Sequence, residues 1–300
     1  MTPANRASLE RGVGRSRAAA GKVPPTGLVL LSIVSVQFGA AVAKGMFPVL
    51  GPGGTVFVRI GFAALALLLV WRPRLRGYAR ADYALIALFG LVLAGMNLAF
   101  YSALDRIPLG VAVTLEFVGP LGVAMAGSRR RLDVLWGLLA AGGIVLLAPV
   151  GGTQLDPLGV ALALLSGLGW GSYILLGVRV GRAFPGGSGL ALAMGVGALA
   201  LVPVGILAGG PALLSPGLLL AGVGVAMLSS VVPYSLELEA LRRLPAHVFG
   251  VLMSVEPAVA AIVGLVVLRE SLGPRALVAI VLVTLASVGA ARSVGHDAID

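Results

Sequence analysis

Long apolar segments, separated by short polar or glycine- and proline-rich stretches, dominate the chain. The ten segments run over residues 26–46, 54–71, 82–103, 108–127, 133–149, 157–178, 188–209, 216–240, 246–268 and 273–292. At a rise of 1.5 Å per residue, each of them approaches or exceeds the ~30 Å hydrocarbon core of a bilayer. The pattern predicts ten transmembrane helices, and the loops between them are too short to hold a further domain.

The order of residues repeats between the two halves of the chain. Residues 103–108 (ALDRIP) align with residues 240–245 (ALRRLP), and the same offset of 137 positions places Pro120 on Pro257. Five helices per half is an odd number, so the second half is expected upside down relative to the first. Inverted repeats about a pseudo-two-fold axis in the membrane plane are a transporter architecture.

This repeat gives the predicted domain organisation. One five-helix repeat over 26–149 is followed by a second over 157–292. Outside them lie a basic tail over 1–25, expected to be disordered because it has no apolar period, and a short cytoplasmic tail over 293–300. We therefore predict an all-α integral membrane fold of two inverted five-helix repeats (5+5).

The composition and the charge distribution agree with a surface that faces lipid. Of the 300 residues, 58% are hydrophobic and 11% are charged, whereas a soluble domain carries roughly 25% charged residues. The net charge of +10 would suggest nucleic acid for a soluble chain, but the basic residues cluster in loops, where they set membrane topology. Seventeen Lys and Arg residues fall on one side and four on the other. We predict a multi-pass protein of the bacterial cytoplasmic (inner) membrane, with both termini cytoplasmic and no nucleic-acid partner.

Two carboxylates lie near the middle of predicted spans. Glu116 in the fourth segment and Glu256 in the ninth are both expected close to the bilayer centre. A charge inside a span costs at least ~2.5–3.5 kcal/mol on insertion scales, so each calls for a reason. Pro120 and Pro257 cannot donate a helical N–H, and each is expected to break the backbone beside its glutamate. We interpret the two glutamates as proton-coupling groups in a central cavity; alternatively, each is a buried partner of a serine, tyrosine or arginine that fixes packing.

Further polar and aromatic side chains inside the spans are candidates for a substrate path. Arg59 could hold a substrate carboxylate bidentately, or it could snorkel to the interface from a shallow position in its helix. The other candidates are Gln37, Asn97, Tyr101, Trp170, Tyr173 and Tyr234. Aromatic residues near helix ends also form interfacial belts, so that interpretation stays open for the aromatic members.

Three more charged residues are expected at helix ends rather than in a cavity. Glu237 and Glu239 fall at the cytoplasmic end of the eighth segment, where we expect them to be solvated or paired with Arg242 and Arg243. Lys44 ends the first segment and is expected to anchor it.

Several kinds of chemistry have no signal in the sequence. The chain has no cysteine, which excludes disulfides, iron–sulfur centres and cysteine zinc sites, and its two histidines cannot form a metal site alone. No nucleotide-binding loop, GxSxG elbow or HExxH helix occurs. We predict no enzyme activity, no cofactor and no metal. The expected partners are a small-molecule substrate, protons and the lipid bilayer, and a homodimer is left open.

Three stretches of the chain resemble a known family. They are residues 108–121 (PLGVAVTLEFVGPL), 232–237 (VPYSLE) and 249–258 (FGVLMSVEPA). They look like the threonine/homoserine exporter type within the EamA branch of the drug/metabolite transporter superfamily. The resemblance implies efflux of small neutral amino acids, driven by proton entry. Small drug exporters of that superfamily carry their coupling glutamate in the first helix, where this chain has Gln37, and this disfavours a lipophilic-cation substrate.

The working hypothesis is a proton-coupled exporter of small amino acids such as threonine or homoserine. Glu116 and Glu256 would couple protons, and rocking of the two halves would alternate access to the cavity. One alternative is an EamA-type carrier of another small metabolite or of a toxic analogue. A second is a membrane-embedded accessory or sensor subunit that transports nothing.

Overall fold

The fold is all-helical over the residues that the computed structural model describes, namely 23–74, 76–126, 131–147, 155–241, 243–244, 249 and 252–296. No strand occurs within these ranges. The α-helices are α1 (Pro25–Lys44), α2 (Phe47–Trp71), α3 (Arg80–Leu104), α4 (Leu109–Glu116), α5 (Val118–Ala126), α6 (Arg131–Leu147), α7 (Pro157–Ala183), α8 (Ser188–Gly209), α9 (Pro216–Ala226), α10 (Val232–Leu241), α11 (Glu256–Val267) and α12 (Pro274–His296). A 3₁₀ turn (Gly210–Leu214) precedes α9, and a π-helical turn (Met227–Val231) joins α9 to α10.

Six stretches of helix are long and apolar enough to cross a membrane, judged by length and composition. They are Pro25–Lys44, Phe47–Trp71, Arg80–Leu104, Pro157–Ala183, Ser188–Leu214 and Pro216–Glu237. Four shorter apolar helices accompany them, at Leu109–Val123, Val134–Leu146, Glu256–Val267 and Pro274–Gly289. Each of the ten predicted segments therefore overlaps one of these apolar helices, and the second helix begins at Phe47 rather than at residue 54.

The polarity of the bundle is that of a protein surrounded by lipid. Leu199, Leu207 and Leu220 are 73%, 86% and 74% exposed, and many other large apolar side chains share that outer surface. Soluble monomers rarely expose contiguous apolar patches larger than a few hundred Å². Polar groups are found inside instead, among them Gln37 and Glu256, which are 1% and 6% exposed.

Prolines mark where several helices begin. Pro25, Pro157, Pro216 and Pro274 are the first residues of α1, α7, α9 and α12. Backbone N–H groups in the first turn of a helix have no acceptor within the helix, so proline, which lacks an N–H, loses no hydrogen bond there. The fixed φ of proline also suits that position. The carboxylate of Asp156 caps α7 by accepting hydrogen bonds from two backbone N–H groups of its first turn.

The structure describes only part of each of the two predicted tails. Of the basic tail predicted over 1–25, residues 1–22 lie outside the described residues. Of the tail predicted over 293–300, residues 293–296 belong to α12, and residues 297–300 lie outside the described residues.

The backbone is interrupted at both glutamates that sequence analysis singled out. The helix α4 ends at Glu116 and α5 begins at Val118, as expected when Pro120 provides no N–H for the Glu116 carbonyl. The helix α7 passes this break closely, since a Cβ atom on Gly167 would lie 2.7 Å from the Glu116 carbonyl oxygen.

The second interruption precedes α11. A turn at Ser254 and Val255 leads into that helix, which begins at Glu256 with Pro257 in its first turn. Both carboxylates are therefore carried on residues where a helix starts or stops.

Helices from residues 25–147 pack mainly against helices from residues 157–296. Five of these pairs are α2 with α8, α3 with α7, α6 with α12, α1 with α10, and α4 with α11. Numbered by the ten apolar segments in chain order, these five pairs are 2–7, 3–6, 5–10, 1–8 and 4–9, and other pairs such as 3–7 and 4–6 are also in contact. The five pairs remain the same set when segments 1–5 exchange numbers with segments 6–10.

Candidate functional site

A cavity of about 160 Å³ lies between the two sets of helices, and buried polar side chains meet in it. Eight of the nine predicted coupling and substrate-path residues line it, and the ninth, Tyr101, contacts one of them. The chemically distinctive lining residues are Gln37, Arg59, Asn97, Glu116, Trp170, Tyr173, Ser229, Tyr234, Glu237 and Glu256. Residues from distant parts of the sequence thus form one site.

The Arg59 guanidinium is held inside the bundle by neutral groups. Its Nη1 donates to Asn97 Oδ1 at 2.9 Å and to the Tyr101 hydroxyl at 3.1 Å, and its Cζ lies 5.3 Å from the centroid of the Tyr101 ring. Its Nη2 donates to the Ser229 carbonyl at 3.1 Å and its Nε to the Ser230 hydroxyl at 3.4 Å. Because the residue is 9% exposed and bonded on all sides to the interior, it does not snorkel to the interface. No carboxylate bonds Arg59 among the described residues.

The local sequence explains why the Ser229 carbonyl is available to Arg59. Pro233 lies four residues further along and has no N–H, so the carbonyl of Ser229 loses its helical donor. The helix forms a π turn over Met227–Val231 at this point. Such π turns are frequent at functional sites. Here the Ser229 carbonyl accepts a hydrogen bond from the Arg59 guanidinium.

The Asn97 amide orients toward Arg59 through a second bond. Its Nδ2 donates to the Leu93 carbonyl one turn earlier on α3, at 2.8 Å. This fixes the amide oxygen toward the guanidinium. The substrate-path candidates Arg59, Asn97 and Tyr101 are therefore one hydrogen-bonded cluster.

Glu116 lies at the end of α4 and lines the same cavity. Its Oε1 accepts a hydrogen bond from the Ser166 hydroxyl of α7 at 2.5 Å. The same hydroxyl lies 3.0 Å from the Met96 carbonyl, which ties α7 to α3. Glu116 has a serine partner, as the packing alternative requires, and it also lines the cavity.

Glu256 bonds to a side chain from the other half of the chain. Its Oε1 accepts a hydrogen bond from Gln37 Nε2 at 3.0 Å, which links the start of α11 to α1. The second oxygen of Glu256 and the amide oxygen of Gln37 are both buried and without a hydrogen-bond partner in the described structure. The Ser229 hydroxyl, beside Arg59, is also buried without a partner.

A third carboxylate, which sequence analysis placed elsewhere, also lines the cavity. Glu237 was expected at the cytoplasmic helix end, but it faces inward and accepts a hydrogen bond from Ser32 at 2.5 Å. Its neighbour Glu239 pairs with Arg243, as expected. The placement of Glu237 was wrong because distance along a helix does not reveal which way a side chain points.

The aromatic candidates pack inside the bundle rather than in an interfacial belt. The Trp170 ring meets Phe117 edge-on with centroids 5.3 Å apart, directly after the break at Glu116. Tyr173 stacks on Phe89 at 4.9 Å. Together with Tyr234 they form the apolar wall of the cavity.

A separate ionic cluster joins the ends of three helices that also contribute to the cavity. Lys44, at the end of α1, forms a salt bridge of 2.7 Å with Glu270, which follows α11. The other Glu270 oxygen accepts a hydrogen bond from the backbone N–H of Leu109, the first residue of α4, at 2.8 Å. Lys44 Nζ also donates to the Ile107 carbonyl at 3.4 Å. Lys44 thus connects α1 to two other helix ends.

The arrangement of charges in the cavity suits a small zwitterion. The Arg59 guanidinium has only neutral partners, so its positive charge can attract a carboxylate, and one of its five N–H groups is not engaged by them. Carboxylates on other helices offer acceptors to an ammonium group or a proton. The cavity is smaller than the roughly 300–1,000 Å³ of pockets for drug-sized ligands, which favours a small solute.

Comparison with known proteins shows clear relatives. Residues 157–292 match the EamA-like transporter family. The chain is 40% identical to the threonine/homoserine exporter RhtA of Escherichia coli (strain K12) over 275 residues, which cover 91% of this chain and 93% of that protein. It is 39% identical, with the same coverage, to the threonine/homoserine exporter RhtA of Salmonella typhimurium (strain LT2).

A solved crystal structure shares the fold at lower sequence similarity. The TM-score is 0.57 at 19% identity, and the alignment covers 89% of this chain and 96% of the other. At that identity the match supports the fold alone.

Proposed function

The chain belongs to the EamA-like transporter family, and on that premise we propose that it exports small neutral amino acids of the threonine and homoserine type in exchange for protons. The resemblance seen in the three sequence stretches is thereby confirmed at the level of the family. The substrate proposal draws on the printed function of relatives that are about 40% identical over nearly the whole chain.

The observation that carries the proposal is the separation of charge in the cavity. Arg59 contributes a cation without a carboxylate partner among the described residues, and Glu116, Glu237 and Glu256 contribute carboxylates from three other helices. A free amino acid carries one group of each sign. Charges in a site excluded from bulk water interact more strongly than in water, so the pairing gives both affinity and orientation.

Proton coupling is assigned in this proposal to Glu116 and Glu256. Each carboxylate lies at a helix break inside the bundle, and each has a neutral hydrogen-bond partner, Ser166 or Gln37. A carboxylate beside a neutral donor can lose or gain a proton without breaking an ion pair. Intramembrane carboxylates frequently form proton relays in transporters.

The proposed architecture is ten helices in two inverted repeats, with both termini in the cytoplasm. The exchange symmetry of the helix pairs supports it, because two copies related by a two-fold axis produce such a set of contacts. The distribution of basic residues supports the orientation. In this arrangement the cluster of Lys44, Glu270 and Leu109 lies on the periplasmic side and joins three helix ends there.

The test is transport by the purified full-length chain in liposomes. Vesicles preloaded with unlabelled threonine are mixed with trace labelled threonine, with and without a pH gradient. We expect counterflow without a gradient and accelerated accumulation when the gradient drives protons the other way. Lack of any flux for threonine, homoserine and other small amino acids would contradict the proposal.

The two alternatives give different results in the same assay. A carrier of another small metabolite would leave threonine exchange at background while a member of a wider solute panel exchanges. An accessory or sensor subunit would give no exchange with any solute, and cells carrying Glu116→Gln plus Glu256→Gln would keep the phenotype of cells that express the wild-type chain.

A further inference from the structure

Two buried oxygen atoms in the cavity have no hydrogen donor. Gln37 Oε1 and Glu256 Oε2 belong to residues that are 1% and 6% exposed, and neither atom has a partner within the described structure. More than nine in ten buried polar groups in native proteins are bonded, so two such atoms on adjacent side chains call for an explanation.

The chemistry of the missing partner follows from the bond that the pair already makes. Gln37 Nε2 donates to Glu256 Oε1 at 3.0 Å, so the amide oxygen is turned away from that bond and can only accept. An ionised carboxylate is also acceptor-only. The missing partner is therefore a group that can donate several hydrogen bonds. The negative charge of the Glu256 carboxylate favours a cationic donor.

The other carboxylates of the cavity have no buried oxygen that lacks a hydrogen-bond partner among the described residues. Glu116 accepts from Ser166 and Glu237 accepts from Ser32. The positive counterpart in the cavity is Arg59, whose bonded neighbour Ser229 carries an unpartnered buried hydroxyl.

We infer that Gln37 Oε1 and Glu256 Oε2 form the subsite that receives the primary ammonium group of the transported amino acid, while Arg59 receives its carboxylate. The inference rests on the proposed function and assigns the two ends of the substrate to two different groups of polar residues in the cavity. It makes Gln37 a residue that determines substrate specificity: solutes that lack a free ammonium group bind poorly.

The test compares threonine with two analogues as inhibitors of labelled threonine counterflow without a pH gradient. In 2,3-dihydroxybutyrate of matching stereochemistry, a hydroxyl replaces the ammonium group; in threoninamide, an amide replaces the carboxylate. For the wild type we expect threonine to inhibit at least about tenfold better than 2,3-dihydroxybutyrate, the loss expected for a hydrogen bond to a charged group. In Gln37→Met that ratio falls toward one, while the ratio of threonine to threoninamide stays as in the wild type.

Two further variants keep the test decisive. Glu256→Gln removes the charge and keeps one acceptor, so the same ratio falls even if Gln37→Met does not fold. Ser35→Ala is the matched control on α1, because the Ser35 hydroxyl donates to the Leu228 carbonyl and does not line the cavity, and it keeps the wild-type ratios.

The outcomes separate the two levels of the proposal. Robust threonine counterflow with equal inhibition by 2,3-dihydroxybutyrate in the wild type, or with an unchanged ratio in Gln37→Met and Glu256→Gln, overturns the subsite and leaves the proposed function standing. Absence of threonine counterflow in the wild type overturns the proposed function and the subsite together.

Discussion

Two cationic side chains of the same bundle have different kinds of partners, one a carboxylate and the other only neutral groups. Lys44 at the end of α1 has a carboxylate partner, Glu270, whose second oxygen is also bonded within the protein. Arg59, in the central cavity, has four neutral partners, although three carboxylates line the same cavity. Gln37, which lines that cavity, lies about 10 Å from Lys44 along α1, since seven residues at 1.5 Å each separate them.

The difference indicates which charge holds the fold together and which is available to a ligand. Leaving a buried charge with an uncompensated sign is costly, so a protein keeps one only where something else compensates it. Around Lys44 the protein supplies the counter-ion itself. Around Arg59 it supplies neutral acceptors that position the guanidinium and leave its charge for a substrate carboxylate.

The largest effect is expected from removing the unpaired cation. Arg59→Met should lower kcat/KM for threonine exchange by about two orders of magnitude, because deleting one member of a buried charge pair costs roughly 2–5 kcal/mol. Arg59→Lys keeps the charge but not the planar guanidinium that bonds four neutral partners, and should recover only part of the loss. The measurement is threonine counterflow in liposomes at matched protein content. If Arg59→Met exchanges threonine at the wild-type rate, the assignment of Arg59 to the substrate is contradicted.

A second large effect should appear only when a proton gradient is present. Glu116→Gln keeps the shape and the capacity to bond Ser166 but cannot release a proton. We expect counterflow without a gradient to persist, and the acceleration by a pH gradient to disappear. Glu239→Gln is the matched control, since Glu239 pairs with Arg243 outside the cavity. A full response of Glu116→Gln to the gradient would show that protons are coupled elsewhere.

A moderate effect is expected at the paired cation, and on stability rather than on substrate affinity. Lys44→Met leaves Glu270 without its charged partner, and we expect the free energy of unfolding to fall by about 1–3 kcal/mol. Thermal unfolding in detergent measures this change. The KM for threonine should stay at the wild-type value because Lys44 does not line the cavity. A rise in KM as large as that of Arg59→Met would remove the distinction between the two clusters.

The smallest effect is expected at an exposed ion pair. Arg106 donates to Asp156 at 2.9 Å, and this hydrogen bond is the main reason why the pKa of Asp156 lies below its ordinary value. A lowered pKa means that the stabilising contribution is complete above the ordinary pKa and is lost as the pH falls through the lowered one. Arg106→Ala should therefore leave transport unchanged and lower stability slightly near pH 7, where the contribution is complete. Thermal unfolding of variant and wild type against pH measures this: the difference should disappear as the pH falls through the lowered pKa, and a difference that is the same at every pH would contradict this assignment.

Sequence reasoning located the elements because its two signals are local. Apolar length identified each helical segment, and the missing N–H of proline located the interruptions beside Glu116 and Glu256. The same proline rule, applied to Pro233, would also have predicted the π turn and the free Ser229 carbonyl. That signal was present in the sequence and was not used.

Other features depend on how helices turn toward each other, which no local pattern reveals. Gln37 and Glu256 meet across 219 positions of sequence, and their bond became visible only in the folded bundle. Glu237 was assigned to a helix end by counting residues, yet the π turn before it changes the direction of the following side chains. Its contact with Ser32 therefore could not be anticipated.

We propose that this chain exchanges an amino acid for protons, and a direct measurement follows protons while threonine moves. Liposomes that contain the full-length protein and a pH-sensitive dye are given a threonine gradient and no initial pH gradient. We expect threonine flux to move protons in the opposite direction, and we expect Glu116→Gln combined with Glu256→Gln to abolish this proton movement. Threonine flux with no change of internal pH in the wild type would contradict it.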